Sequence, residues 1–194
     1  FVVLSRPGDF GNFWINTAVA VSASDPIDIA CSSSYPSALL DGLEQPDGLL
    51  VFSSDQQFFL GTTAQILSPD SARLSSIANY NFNKNTHPIS LGTSVGFIDN
   101  SGQYSRFFEA INLNATSNPD IADVSKVVSR LLPKDLDLIT NSRENGLVLI
   151  GKSGTSTVYG LKLFSVANKR YQQAWFKWEL VNKVKYHFVI GDQY

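Results

Sequence analysis

The chain reads as a mainly β protein, with propeller-like antiparallel sheets and one short helix. Three observations lead there. Short apolar runs recur from end to end between clusters of Pro, Gly, Asp and Asn, the pattern of strands joined by tight turns. A single stretch, near residues 120–132, carries apolar residues at helical spacing. The densest aromatic segment, residues 171–181, alternates with period two. Ala174, Phe176, Trp178 and Leu180 share one face, and Gln173, Trp175, Lys177 and Glu179 the other. A strand with one wet face would not put Trp175 beside Lys177 and Glu179. It is therefore expected to be an inner blade strand packed on both faces, with Trp178→Ala costing roughly 3–5 kcal/mol.

Taken in order, residues 1–4 form a strand and Pro7-Gly-Asp-Phe-Gly-Asn12 a turn, followed by strands at 13–16 and 17–21. The Asp25-Pro26 step disfavours helix and favours an ordered turn. Asp47-Gly48 signals a turn into a strand at 49–52, and Asp55-Gln56 links that strand to 57–60 as a hairpin. Residues 67–70 turn again. Strands at 95–98 and 104–111 flank Asp99-Asn-Ser-Gly102 as a second hairpin. The helix follows: Asp120 and Asp123 open it, Ile121, Val124, Val128 and Leu131 form its apolar stripe, and Pro133 stops it. Strands resume at 136–140, 147–150, 158–166, the Trp-rich segment and 186–190. Four short strands at this spacing make one propeller blade, although no clean internal repeat is visible.

Composition narrows the function classes. No run approaches the roughly 18 apolar residues of a membrane span. The single Cys31 permits no internal disulfide, and is expected to be a small core residue. The chain lacks methionine and both ends look cut through strands, so a piece of a longer polypeptide is expected. The charge is segregated: residues 1–125 carry 12 acidic and 4 basic side chains, a balance of −8, while residues 126–194 carry 5 and 11, a balance of +6. The division reads either as two differently solvated surfaces or as complementary faces that meet between neighbouring copies in a ring. The bases are too dispersed for a nucleic-acid patch.

Catalytic patterns fail on context. Gly146-Leu-Val-Leu-Ile-Gly151-Lys152-Ser153 satisfies the phosphate-loop pattern, but the residues between its glycines form a strand instead of a flexible cradle before a helix. Gly92-Thr-Ser94-Val-Gly96 matches a nucleophile elbow, yet it runs into a hairpin with no helix behind it. His87 and His187 lack metal-ligand spacing. Asp135/Asp137 and Asp25/Asp28 read as turn caps in preference to a cation site. Asn114-Ala-Thr116 is a glycosylation acceptor only in a secretory pathway. No catalytic residue, cofactor or metal is expected. The alternative reading is a β-propeller carbohydrate-binding or glycan-cleaving module.

Several stretches in order resemble the tail nozzle (tail tubular protein B) family of short-tailed bacteriophages. They are Ser5-Arg-Pro-Gly-Asp-Phe-Gly-Asn-Phe13, Ser22-Ala-Ser-Asp-Pro-Ile-Asp28, Leu49-Leu-Val-Phe52 with Gln57-Phe-Phe-Leu60, and His87-Pro-Ile-Ser-Leu-Gly92. The series continues with Asp120-Ile-Ala-Asp123, Leu132-Pro133 and Gln172-Gln-Ala-Trp-Phe-Lys-Trp178. Residues 34–48 carry least of the pattern. The resemblance implies a structural virion protein whose residues 1–194 belong to one β-propeller-like domain of a longer chain. It implies a homo-oligomeric ring, a hexamer, that continues the DNA ejection conduit below the tail adaptor protein and helps attach tail fibres. Viral DNA would pass through without sequence-specific binding. The protein would sit in the phage tail of the virion, after assembly in the host cytoplasm. Matched positions Asp9, Asp25, Asp28, Trp175 and Trp178 would be architectural. A conduit must not hold its cargo, so the acid-rich first part is expected nearer the lumen than the Lys-rich last part.

Overall fold

A computed structural model of the chain describes residues 1–15, 20–30, 36–62, 64–111, 120–166 and 169–190. They fall into two compact units, residues 1–79 and residues 80–111 with 120–190. The strand expected over 17–21 falls mainly outside the described residues, as do Cys31 and the Asn114-Ala-Thr116 motif.

In the first unit, β1 (Val2–Leu4) pairs antiparallel with β2 (Ile27–Ile29). A four-stranded meander follows: β3 (Leu39–Gln45), β4 (Gly48–Ser53), β5 (Gln57–Thr62) and β6 (Ala72–Ala78), hydrogen-bonded in that order. Its two central strands bury consecutive apolar residues, Leu50-Val-Phe52 and Phe58-Phe-Leu60. A continuous buried run means that both sheet faces are covered. The outer strands β3 and β6 alternate with solvent.

The second unit repeats the device twice. One meander is β7 (Ile89–Ser90), β8 (Val95–Asp99), β9 (Arg106–Ile111) and β10 (Asp120–Asp123). The other is β11 (Leu138–Ser142), β12 (Leu147–Gly151), β13 (Thr157–Val166) and β14 (Lys169–Glu179). Ile98 and Phe107 from the first meet Val148, Ile150 and Leu161 from the second. Val124, Leu132 and Leu136, from the connection between the sheets, fill the same core. Mainly β architecture is thus present among the described residues, in four antiparallel sheets.

The helix expected near 120–132 is absent. Residues 120–123 are β10, paired with β9 from Ile111 to Phe108, and only a single 3-10 turn at Lys126–Val128 follows. The free edge of β9 captures this segment. Val124 N–H continues the ladder to Phe107 O at 3.0 Å, and Ser125 Oγ accepts from Phe107 N–H at 3.1 Å. Asp123 Oδ1 accepts from Ser125 N–H at 2.9 Å and so ends the strand. Of the supposed apolar stripe only Val124 is fully buried. Tertiary pairing overrode a weak helical period.

The Trp-rich strand is also not an inner strand. β14 is the last of its sheet and pairs there with β13 alone. Its two faces are nevertheless both packed. Trp175 meets Phe107 in a T-shaped arrangement, with ring centroids 6.2 Å apart, and donates Nε1–H to Val124 O at 3.2 Å. On the other face Phe176 lies over Gly160, where an added Cβ would stand 2.1 Å from the ring, and packs against Leu147, Leu149 and Val158. Trp178 leans on Phe176 but stays 40% exposed. The two tryptophans therefore differ in energetic weight. Trp175→Ala is expected to cost about 2–3 kcal/mol and Trp178→Ala about 1 kcal/mol, in urea titrations of both variants. Equal losses would contradict this division.

The strand expected at 186–190 is extended chain without a regular ladder. Residues 180–190 instead lie along the last sheet, tied by Leu180 N–H to Ser156 O, Val184 N–H to Thr155 O and Gly154 N–H to Val184 O, each 2.8 Å.

Candidate functional site

In the second unit the first strands of the two meanders, β7 and β11, approach edge to edge. Ser90 O accepts from Asn141 Nδ2–H at 2.7 Å and from Arg143 Nε–H at 3.1 Å. These two donors satisfy one backbone acceptor from across the gap, which fixes the inner edges of adjacent sheets together. Beside this junction opens a cleft of about 650 Å³. Its polar lining includes Ser94, Glu109, Arg143, Glu144, Asn145 and Lys162. Register explains the first pair: β8 opposes Gly96 to Glu109, so Ser94 in the preceding turn reaches the carboxylate. Its hydroxyl donates to Glu109 Oε1 at 2.5 Å, and both residues are buried. Lys162 Nζ donates to Asn145 O across the β12–β13 pair.

This cleft balances two acids against two bases, and Glu109 is the carboxylate paired with the Ser94 hydroxyl. It suits polar contacts. The phosphate-loop pattern resolves as expected: residues 147–151 are β12, and the turn after it holds Lys152 and Ser153. Among the described residues no group of three or more His, Cys, Asp or Glu stands close enough to hold a metal ion. Nor is any helix long and apolar enough to cross a membrane.

A second cluster lies at the far end of β12. Asp137 accepts from Ser153 N–H at 2.7 Å and from the Ser153 hydroxyl. Burial pushes its carboxyl up, but these two bonds, with Lys152 nearby, hold it below the usual carboxylate range. His187, from the segment laid along the sheet, packs against Gly151. Both its ring nitrogens are buried without a hydrogen-bond partner.

The expected architectural residues fall in two places. In the first unit, Asp9 closes a hydrogen-bonded loop, donating its N–H to Arg6 O at 3.1 Å and accepting from Asn12 N–H at 3.0 Å. Asp25 Oδ2 accepts from Ser22 N–H at 2.8 Å, a turn cap, and Asp28 stands opposite Val3 in the two-stranded sheet. In the second unit, Trp175 and Trp178 take the unequal positions described above. Sequence reasoning missed the Ser94–Glu109 pair and the buried bond from Asn83 Nδ2–H to Leu136 O, 2.6 Å. Neither leaves a local signal, since each joins residues far apart in the chain that only the tertiary fold brings together.

Comparison with known proteins adds what this geometry does not carry. A family model described as bacteriophage nozzle protein matches residues 1–193. The chain is also similar to the tail tubular protein gp12 of Escherichia phage T7, 23% identical over 188 residues that cover 95% of this chain and 23% of that protein. It therefore spans about a quarter of the length of the curated relative it matches.

Proposed function

This chain belongs to the bacteriophage nozzle protein family, and from that premise we propose that it serves as a structural segment of a nozzle ring subunit in a short phage tail. The observation that carries the reading is the family match over essentially the whole chain. In this role the ring, a hexamer, continues the DNA ejection conduit below the tail adaptor protein and helps hold tail fibres. It acts by shape and charge, without a catalytic step. The two meanders of the second unit act as consecutive propeller blades with β7 and β11 toward the blade axis. The Ser90 junction supports this, because a shared acceptor between first strands is what adjacent blades need.

The charge division between residues 1–125 and 126–194 supplies the two unlike faces that a heterologous ring contact requires. The acid-rich part lies nearer the channel, where it does not hold phosphate. Negative-stain images of the full-length protein test the ring directly: closed rings with a central opening are expected. Persistent monomers, above all with saturable sugar binding, would replace this reading with a glycan-binding module. A ring whose channel is lined by Lys162, Lys177 or Lys183 would reverse the assignment of its faces.

A further inference from the structure

We propose that residues 180–190 form a pH-sensitive strap, latched on the last sheet of the second unit by the neutral side chain of His187 and released when that side chain is protonated. The inference is independent of the ring reading. It starts from one anomaly: among the described residues, the only buried side-chain nitrogens or oxygens without a hydrogen-bond partner are His187 Nδ1 and Nε2. A buried polar group without a partner is tolerated poorly when neutral and far worse when charged.

The latch is assembled from few parts. Gly151 ends β12 and its missing side chain leaves the surface on which the imidazole lies; a Cβ there would be 3.4 Å from His187 Nε2. Three backbone hydrogen bonds hold the strap's first half, through Leu180, Gly154 and Val184. Val184 also packs against the Leu147, Leu149 and Val158 cluster. Beyond Val184 the side chains of Tyr186, Phe188 and Ile190 turn outward and are exposed, while His187 faces the sheet. A segment outside the regular ladder that carries one poorly solvated ionisable group can open locally while the sheet persists.

The charges around the imidazole decide the sign. From the sheet side, Asp137 favours protonation, but its carboxylate already accepts two bonds from Ser153 and stands near Lys152. On the strap itself the charged residues are Lys183 and Lys185. Burial is the largest influence and lowers the His187 pKa from its ordinary 6.5, with Asp137 offsetting only part. A group whose docked pKa is depressed binds protons preferentially when released. Docking is therefore complete above pH 6.5 and weakens as pH falls below that value.

Hydrogen exchange of the chain between pH 7.5 and 5, corrected for intrinsic rates, tests the strap. Protection of the Gly154, Leu180 and Val184 amides should fall selectively, by at most about tenfold per pH unit because one proton is involved. The amides of Val148 and Ile150 in β12 should stay protected. In His187→Leu the strap amides should keep their protection at both pH values. Unchanged strap protection in the wild type, or the same acid loss in the variant, would overturn the proposal. A histidine-resolved NMR titration of the wild type guards against a variant that fails to fold. The chain has two histidines, and His187→Leu identifies which resonance belongs to His187. The His187 midpoint should lie below 6.5 and coincide with the loss of strap protection, and a midpoint at or above 6.5 would sink the latch.

Discussion

Replacing Phe107 with alanine should destabilise the chain by about 4 kcal/mol, a large share of the 5–15 kcal/mol that holds a typical domain together. The ring is fully buried and is a shared member of the core between the two meanders of the second unit. It packs T-shaped against Trp175, and it fills the space that Gly96 leaves open, where a Cβ would stand 2.5 Å from Phe107 Cζ. Its backbone N–H bonds to Ser125 Oγ, a link the substitution leaves intact. The loss is therefore one of packing and not of strand pairing. Truncation empties a site bounded by three elements that are pinned by their own ladders, so collapse around the void is limited. Urea denaturation followed by tryptophan fluorescence measures it, with Trp175 reporting from the cavity wall. Phe107→Leu, which keeps most of the volume, should cost about 1–1.5 kcal/mol. A loss below about 1 kcal/mol in the alanine variant would mean that the two sheets do not share this core.

The legibility of this chain follows the depth of its strands. The central hairpins β4–β5 and β8–β9, and strand β12, were readable because each is a continuous apolar run bounded by turn residues such as Asp47-Gly48 or Asp99 to Gly102. The outer strands were not. β3 carries Asp41 and Gly42, β6 carries Ser75 and Ser76, and β10 begins and ends on an aspartate. Their own pattern is too polar to mark a strand; a neighbour's free edge recruits them. The same contrast hides the repeat. What recurs is a buried hairpin between variable outer strands, so three meanders of one topology share little sequence outside their centres. The misread helix at 120–132 belongs here too, since β9 decides its fate. For the candidate site, Asp9 and Asp25 were visible as turn residues, and each makes turn hydrogen bonds. The unequal roles of Trp175 and Trp178 needed the order of the sheet. The Ser94–Glu109 pair and the orphaned His187 depended on register and burial, which alternation alone does not state.

Gly146→Val should be at least as damaging, at about 4 kcal/mol or more, and its cause lies in the backbone. Gly146 is the first glycine of the phosphate-loop pattern, where a glycine would serve to admit a phosphate. Here it adopts φ +54° at the end of the turn before β12, the left-handed region that costs an L-residue about 1–2 kcal/mol and a β-branched one more. A Cβ would also stand 2.3 Å from Leu163 O. That oxygen belongs to β13, the strand that β12 must pair with, and Leu163 N–H bonds to Gly146 O at 2.7 Å. No rotamer relieves a clash between a Cβ and a backbone carbonyl. The variant must break the last rung of the β12–β13 ladder or shift Leu163, which packs against the core. Lys152→Ala is the matched control: its backbone C=O accepts from Thr155, which the change leaves intact, and it should cost less than about 0.5 kcal/mol. If the pattern were a nucleotide site the ranking would appear in ligand affinity, with both variants losing binding. The expected result is a stability loss confined to Gly146→Val, with no nucleotide-dependent shift in the melting temperature of the wild type. Such a shift would show that the glycine serves a ligand and not the close approach of two strands.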